Sequence, residues 1–163
     1  MMKKFLFAFL IIASFAGCLK NNDSNFTCNY NACGFVAPAS EQQIVTDYLT
    51  ANGLTATQHC SGLYYIIDDA GTGATPTVCN QVAVSYTGRL ANGTIFDQST
   101  DPIVFSLTQV ITGFKNGIPL IKSGGNIRLF IPPILAYGPN PPTGSNIPPN
   151  SMLIFDVTLA GVQ

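Results

Sequence analysis

The stretch Val82–Ser99, VAVSYTGRLANGTIFDQS, constrains the fold more than any other part of the chain. Apolar and polar side chains alternate through its first nine residues, a period of two that predicts a strand with one buried face. Asn92 and Gly93 then supply the two positive-φ positions of a tight hairpin turn, and a return strand follows. The hairpin places Tyr86 on the apolar face with Asp97 close by. A buried hairpin does not require this polar pair, which indicates a function.

The N-terminus reads as an export signal rather than as part of the fold. Residues 1–17 contain two lysines, an apolar run too short to span a bilayer, and a small-residue end. Cys18 follows Ala-Gly and resembles the lipid-bearing cysteine of a bacterial lipobox, although Phe15 stands where leucine is commonest. The prediction is a signal peptide with lipidated Cys18; the alternatives are an ordinary signal peptide or cleavage elsewhere.

The charge balance argues against nucleic acid as a partner. Removal of the leader leaves five basic residues against eight acidic ones, with no basic cluster. Charged residues make up only 9% of the chain, so its surface depends on Asn, Thr, Ser and Gln. The mature length suits one domain with a short leader.

Export also changes how the cysteines are interpreted. Cys28, Cys33, Cys60 and Cys79 form an even set that favours two disulfides in an oxidising compartment. Zinc is disfavoured because the spacing matches no standard finger and His59 is the only histidine. Three pairings are possible, and we favour the one that closes the shortest loops, Cys28 with Cys33 and Cys60 with Cys79.

The chain divides into four predicted regions. After the signal peptide, residues 18–37 form an Asn-rich tether with the Cys28/Cys33 loop, 38–61 a helical extension, and 62–163 the main domain. Ser40 is the predicted N-cap of the extension's helix, and Asn52-Gly53 is its stop. We expect this helix to cover part of the domain, with a dimerisation arm as the alternative.

The main domain is predicted to be α+β. Besides the hairpin, strands are expected at 63–67, 103–107, 126–131 and 151–160, and a short helix within 110–122. Together they give an antiparallel twisted sheet of about five strands wrapped on one short helix. The proline-rich segment 132–150 cannot form a ladder and is predicted to be a surface loop at a pocket rim.

Five motifs resemble the FKBP-type peptidyl-prolyl cis-trans isomerases. They are the hairpin, which fits the family pattern V-x-V-x-Y-x-G-x-L-x-x-G-x-x-F-D-x-S, then VITGF, AYG, IPPN and LIFDVTL, in family order over about residues 62–161. A helical extension ahead of this domain is similar to what exported bacterial members carry. The resemblance therefore implies the FKBP-like fold in an exported lipoprotein.

The resemblance also implies a shallow apolar groove between sheet and helix. Asp97 is the polar group of its wall, and the Tyr137 hydroxyl and the Ile111 N–H contact a bound carbonyl, whereas Gln109 contributes only its main chain. Phe114 replaces the family's usual tryptophan, and Ile103 stands where an aromatic residue is common. The implied catalytic residues are Tyr86, Phe96, Asp97 and Tyr137, and the implied substrate-binding residues are Val110, Ile111, Phe114, Ile147, Phe155 and Ile103.

The function implied is rotation of X-Pro bonds in exported proteins, with no cofactor and no metal. The expected partners are proline-containing polypeptides, macrolide inhibitors, and the membrane of the cell envelope through a lipid on Cys18. A non-catalytic chaperone or peptide-binding module that uses the same groove is the alternative, since binding and isomerisation need the same walls.

Overall fold

The computed structural model describes residues 28–163. The predicted signal peptide, the lipidation site at Cys18 and the first part of the tether lie outside the described residues. None of the helices from Cys28 onward combines the length and the apolar character needed to cross a lipid bilayer.

Two helices and six strands make up the described part of the chain. The helices are α1 (Ala39–Ala51) and α2 (Thr112–Gly117), and the strands are β1 (Thr57–Gln58), β2 (Tyr64–Asp69), β3 (Gln81–Leu90), β4 (Ile95–Ser106), β5 (Asn126–Ile131) and β6 (Leu153–Val162). Single 3-10 turns follow β4 and α2 and open the proline-rich loop.

The six strands form one antiparallel sheet in the order β1-β2-β5-β6-β3-β4. The α+β architecture predicted from the sequence, an antiparallel sheet with a short helix packed on it, is confirmed, with one strand more than the five expected. The additional strand is β1, whose two residues show no alternation that a sequence pattern could reveal.

Each face of the sheet packs against one helix. On one face, α2 buries Phe114 in the main core, and a Cβ added at Gly113 or Gly117 would collide with Ile131 or Leu129 of β5. Glycine is thus required where α2 approaches the strand. On the other face, α1 covers a second apolar cluster made by Val45, Leu49, Phe130, Met152 and Ile154. The period of two along β5 and β6 sends alternate side chains to these two cores.

The hairpin forms, but its turn differs from the predicted one and its second strand is longer than expected. Gly93 has φ 85°, whereas Asn92, the other predicted positive-φ position, does not have a positive φ. The N–H of Gly93 donates to the Leu90 carbonyl at 2.9 Å, so only the last position of this turn needs glycine's conformational freedom.

The return strand and the strand predicted at 103–107 are one continuous strand, β4, paired with β3 over almost its full length. The pairing register shifts between Val84, which pairs with Ile103, and Tyr86, which pairs with Ser99. This irregularity is a β-bulge that contains Asp101 and Pro102, and it increases the local twist while β4 continues as one strand.

The predicted N-cap of α1 is wrong by two residues. The helix starts at Ala39 behind Pro38, whose carbonyl accepts hydrogen bonds from the N–H groups of Glu41 and Gln42, and no side chain caps it. Its predicted stop is confirmed, because the helix ends at Ala51 and Gly53 takes φ 62°.

Within residues 28–163 the chain forms two disulfides, but their pairing differs from the favoured one. Cys28 bonds Cys79 and Cys33 bonds Cys60, with Cα separations of 5.8 and 5.4 Å. The short-loop argument fails because contacts with α2, rather than loop length, determine where the segment around Cys28 and Cys33 lies. It lies along α2, where buried Asn116 accepts a hydrogen bond from the Tyr30 hydroxyl at 2.8 Å, and this places each cysteine beside a distant partner.

Candidate active site

A groove of about 270 Å³ opens between the sheet and the N-terminal end of α2. Its lining is mostly aromatic and aliphatic, with few polar groups, which is typical of a site that binds an apolar ligand in a fixed orientation. The lining residues are Tyr86, Phe96, Asp97, Phe105, Gln109, Val110, Ile111, Phe114, Tyr137 and Phe155.

Phe155 of β6 is the centre of the aromatic wall. Its ring lies 4.7 Å from that of Phe114, 5.4 Å from that of Phe96 and 6.0 Å from that of Tyr86, measured between centroids. The contacts with Phe114 and Phe96 are edge-to-face, the arrangement that the ring quadrupoles favour. These rings come from β3, β4, α2 and β6, so the groove exists only when the whole sheet has formed around α2.

Tyr86 and Asp97, the polar pair noted in the hairpin, both lie in the wall of the groove. The Tyr86 hydroxyl donates a hydrogen bond to Asp97 Oδ2 at 2.6 Å. Burial, this hydrogen bond and the negative charge of Asp97 all raise the pKa of Tyr86 far above its ordinary value, so the hydroxyl stays protonated. The carboxylate of Asp97 is thereby held in one orientation at the exposed rim.

Tyr137 reaches the groove from the proline-rich loop. A 3-10 turn at Pro133–Leu135 precedes it, and Gly138 closes the turn by donating its N–H to the Pro133 carbonyl at 2.8 Å. Burial and the charge of Asp97 raise the pKa of Tyr137, so its hydroxyl also remains a hydrogen-bond donor at neutral pH.

Most residues predicted from the resemblance meet in the groove. Tyr86, Phe96, Asp97, Tyr137, Val110, Ile111, Phe114 and Phe155 all line it. Ile147 does not: it is 7% exposed and belongs to the main core below the groove. Ile103 is also outside the lining, and it is 36% exposed on β4.

Sequence reasoning missed one lining residue, Phe105, whereas Gln109, expected to contribute only its main chain, also lines the groove. Phe105 lies two residues beyond Ile103 on the same strand, and its ring centroid is 6.0 Å from that of Tyr86. The aromatic position sought at Ile103 is therefore filled by Phe105. Counting along one uninterrupted strand, with its period of two, would have identified it.

A larger hollow of about 500 Å³ lies on the outer face of the sheet and differs in character. Hydroxyl and charged side chains, among them Ser85, Thr87 and Thr158, dominate its lining. Asp156, which lines the hollow, pairs with both Arg89 and Arg128. Tyr86 is the single aromatic residue among those that line this hollow, so the hollow lacks the cluster of rings that encloses the groove.

Comparison with known proteins gives a consistent result. The family model described as FKBP-type peptidyl-prolyl cis-trans isomerase matches residues 73–160. A probable FKBP-type peptidyl-prolyl cis-trans isomerase of Haemophilus influenzae is 48% identical over 106 residues, which are 63% of this chain and 44% of that protein. The protein named outer membrane protein MIP from Legionella longbeachae is 43% identical over 63% of this chain and 45% of its own length.

Solved structures agree in fold. FkpA from Escherichia coli superposes with a TM-score of 0.66 at 39% identity, covering 77% of this chain and 58% of that one. A peptidyl-prolyl cis-trans isomerase from Pseudomonas syringae pv. tomato gives a TM-score of 0.67 at 31% identity, covering 80% of this chain and 99% of that one.

The chain spans less than half the length of the curated relatives compared above. The family model nevertheless covers more than half of the chain, including the hairpin, α2 and Tyr137. The chain belongs to the FKBP-type peptidyl-prolyl cis-trans isomerase family.

Proposed function

We propose that this protein is a peptidyl-prolyl cis-trans isomerase that assists the folding of exported proteins. The observation that carries the proposal is the aromatic groove with one oriented carboxylate in its wall, held by the Tyr86–Asp97 hydrogen bond. Family membership supports the same activity.

The reaction needs no nucleophile. Rotation about an X-Pro bond faces a barrier of about 18–20 kcal/mol that is set by amide resonance. In the twisted transition state the nitrogen loses conjugation and the carbonyl becomes more like a ketone. A dry aromatic wall disfavours the charge-separated planar amide, and groups positioned for the rotated form bind it in preference.

The residues of the groove can take specific roles in that process. Phe114 and Phe155 would form the floor and wall against the proline ring, and Phe96 would close the rim. The Tyr137 hydroxyl and the N–H of Ile111 would bind the substrate carbonyl. Ile111 is at the N-cap position of α2, where a backbone N–H is not used by the helix itself.

A protease-coupled assay on a short X-Pro peptide tests this proposal. The wild type should accelerate cis-to-trans conversion, and Phe96→Ala should lower kcat/KM about tenfold by removing an aromatic contact that shields the amide from water. Asp97→Val and Tyr137→Phe should also reduce the rate. Ser85→Ala, on the outer face of the same sheet, is the matched control and should leave the rate unchanged. No acceleration by the wild type would refute the catalytic proposal.

A non-catalytic peptide-holding module is the second candidate. It is favoured by the fact that the groove's walls suit binding of an apolar chain and contain no group whose only use is catalysis. Isothermal titration with a proline peptide distinguishes the two, because binding without rate acceleration identifies the second. A macrolide should occupy the same groove, and Phe96→Ala should weaken it.

We further propose that the mature protein is exported and anchored to the cell envelope by a lipid on Cys18. The domain plan is a signal peptide at 1–17, a tether at 18–37, a helical extension at 38–61 and the isomerase domain at 62–163. Two disulfides support an oxidising compartment. Mass spectrometry of the mature N-terminus tests the anchor: diacylglycerol on Cys18 is expected, and an unmodified cysteine contradicts it.

A further inference from the structure

A carboxylate of the helical extension reaches the loop that carries Tyr137. Glu41, in the first turn of α1, accepts a hydrogen bond at 2.7 Å from the backbone N–H of Ile134, which is 93 residues away in the sequence. Ile134 belongs to the 3-10 turn at Pro133–Leu135, and Tyr137 follows two residues after that turn.

At the start of this turn, one backbone N–H has no acceptor within the turn itself. Pro132 and Pro133 lack an N–H, and the N–H groups of Leu135 and Ala136 donate to the carbonyls of Pro132 and Pro133. The N–H of Ile134 is therefore the first donor of the turn and needs an acceptor other than the turn itself. Glu41 supplies it with a charged oxygen, which makes a shorter and stronger bond than a neutral one.

The helix that carries Glu41 is firmly held. The neighbouring Gln42 donates to the Ala37 carbonyl at 2.6 Å and accepts from Gln58 at 2.7 Å. Val45 and Leu49 anchor the same helix in the second apolar cluster. The Cys33–Cys60 disulfide links the segments on either side of it, so Glu41 is presented by a fixed support rather than by a mobile arm.

We propose that Glu41 is a positioning residue for the isomerase reaction. Its carboxylate fixes the turn at Pro133–Leu135 and, through it, the direction in which the Tyr137 hydroxyl enters the groove. The helical extension thereby contributes to the active site without contacting the substrate. The inference rests on the proposed isomerase function.

The test compares three single variants of the full chain. Glu41→Ala removes the acceptor and should lower kcat/KM about three- to tenfold, the range expected for loss of one charge-assisted hydrogen bond at a partly exposed site. Glu41→Gln keeps an acceptor oxygen and should restore the rate to within about twofold of the wild type. Asp47→Ala is the matched control, because its carboxylate lies on the same helix but bonds only Gln43 among the described contacts.

A double variant separates positioning from general stability. If Glu41 acts through Tyr137, Glu41→Ala should cause no further loss of kcat/KM in the Tyr137→Phe background. An equal loss in both backgrounds, or an unchanged rate in Glu41→Ala, overturns the proposal.

Amide hydrogen exchange supplies a readout that does not depend on activity. The N–H of Ile134 should exchange faster in Glu41→Ala and should remain protected in Asp47→Ala. If the wild type is inactive but the Ile134 N–H still exchanges faster in Glu41→Ala, the isomerase function and the catalytic role of Glu41 are refuted, and Glu41 remains the cap of the turn. If the wild type is active but the Ile134 N–H exchanges at the same rate in Glu41→Ala as in the wild type, the role of Glu41 as the cap is refuted and the isomerase function is not.

Discussion

A single methyl group added to β3 should damage the groove selectively. Gly88 lies near the C-terminal end of this strand, beneath two of the aromatic rings. A Cβ at this position would be 2.7 Å from Phe96 Cζ and 2.8 Å from Phe155 Cε1, both well inside van der Waals contact. Gly88→Ala must therefore displace at least one ring.

The two rings differ in how easily they move. Phe96 is half-buried at the rim and can swing outward, but Phe155 is 4% exposed and has the Phe114 ring at 4.7 Å. Overpacking of this kind costs about 1–3 kcal/mol. Alanine offsets about 0.4–1 kcal/mol of that by reducing the entropy of the unfolded chain. We expect a net loss of about 1–2 kcal/mol, together with a peptide affinity reduced about tenfold because the rim has shifted.

Gly161→Ala is the matched control for this substitution. Gly161 lies in the adjacent strand β6, and the nearest atom to an added Cβ is Ala83 Cβ at 3.9 Å, an ordinary contact. This variant should retain wild-type affinity and should be as stable as the wild type or slightly more so.

Urea unfolding followed by circular dichroism measures the stability, and peptide titration measures the affinity. With a slope of about 1.5 kcal/mol/M, the predicted loss moves the midpoint of Gly88→Ala down by about 1 M. Equal midpoints and equal affinities for the two alanine variants would show that the groove walls are not packed as described.

Three further outcomes follow from other parts of the structure. Asn116→Ala should lower the free energy of unfolding by about 1–3 kcal/mol, because the buried Asn116 amide loses its two hydrogen bonds, to the Tyr30 hydroxyl and the Ala32 carbonyl, and an unchanged urea midpoint would contradict this. Non-reducing peptide mapping should recover Cys28 linked to Cys79, and Cys79→Ser should destabilise the protein by about 2–4 kcal/mol; recovery of a different linkage would reject the assignment. Because folding raises the pKa of Tyr86, its contribution to stability is complete below a pH of about 10 and is lost as the pH rises further. Ultraviolet titration should therefore find a tyrosine that ionises above that pH, and Asp97→Asn should lower its pKa; an unshifted titration would exclude the hydrogen bond.

Most of the fold could be predicted from the sequence because it depends on local patterns, whereas the residues of the groove were predicted from the family resemblance. The alternation in β3 predicts its strand correctly, and Gly93 marks the turn, although Asn92 does not take the positive φ expected of it. The family resemblance then brought in Tyr137 and Phe155, which no local pattern could connect to the hairpin. The structure places both beside Tyr86 in one lining.

The failures involve contacts between distant segments. Loop length predicted the wrong disulfides because the position of Cys28 depends on the contact of Tyr30 with α2, which is invisible in the sequence. Ile103 was chosen in place of Phe105 because the continuity of β4 could not be seen. The link from Glu41 to Ile134 joins a charged side chain to a backbone group, and neither carries a sequence signal for the other.

β4 is an edge strand of the sheet, so one side of its backbone is open to pairing with another polypeptide chain. An edge strand twelve residues long is a template on which another extended chain could add by backbone pairing. Within β4, Pro102 offers no N–H, and Asp97 and Asp101 bring negative charge to the exposed edge. The carboxylate that Tyr86 holds in the groove wall thus has a second effect, because its charge discourages another extended chain from pairing along this edge.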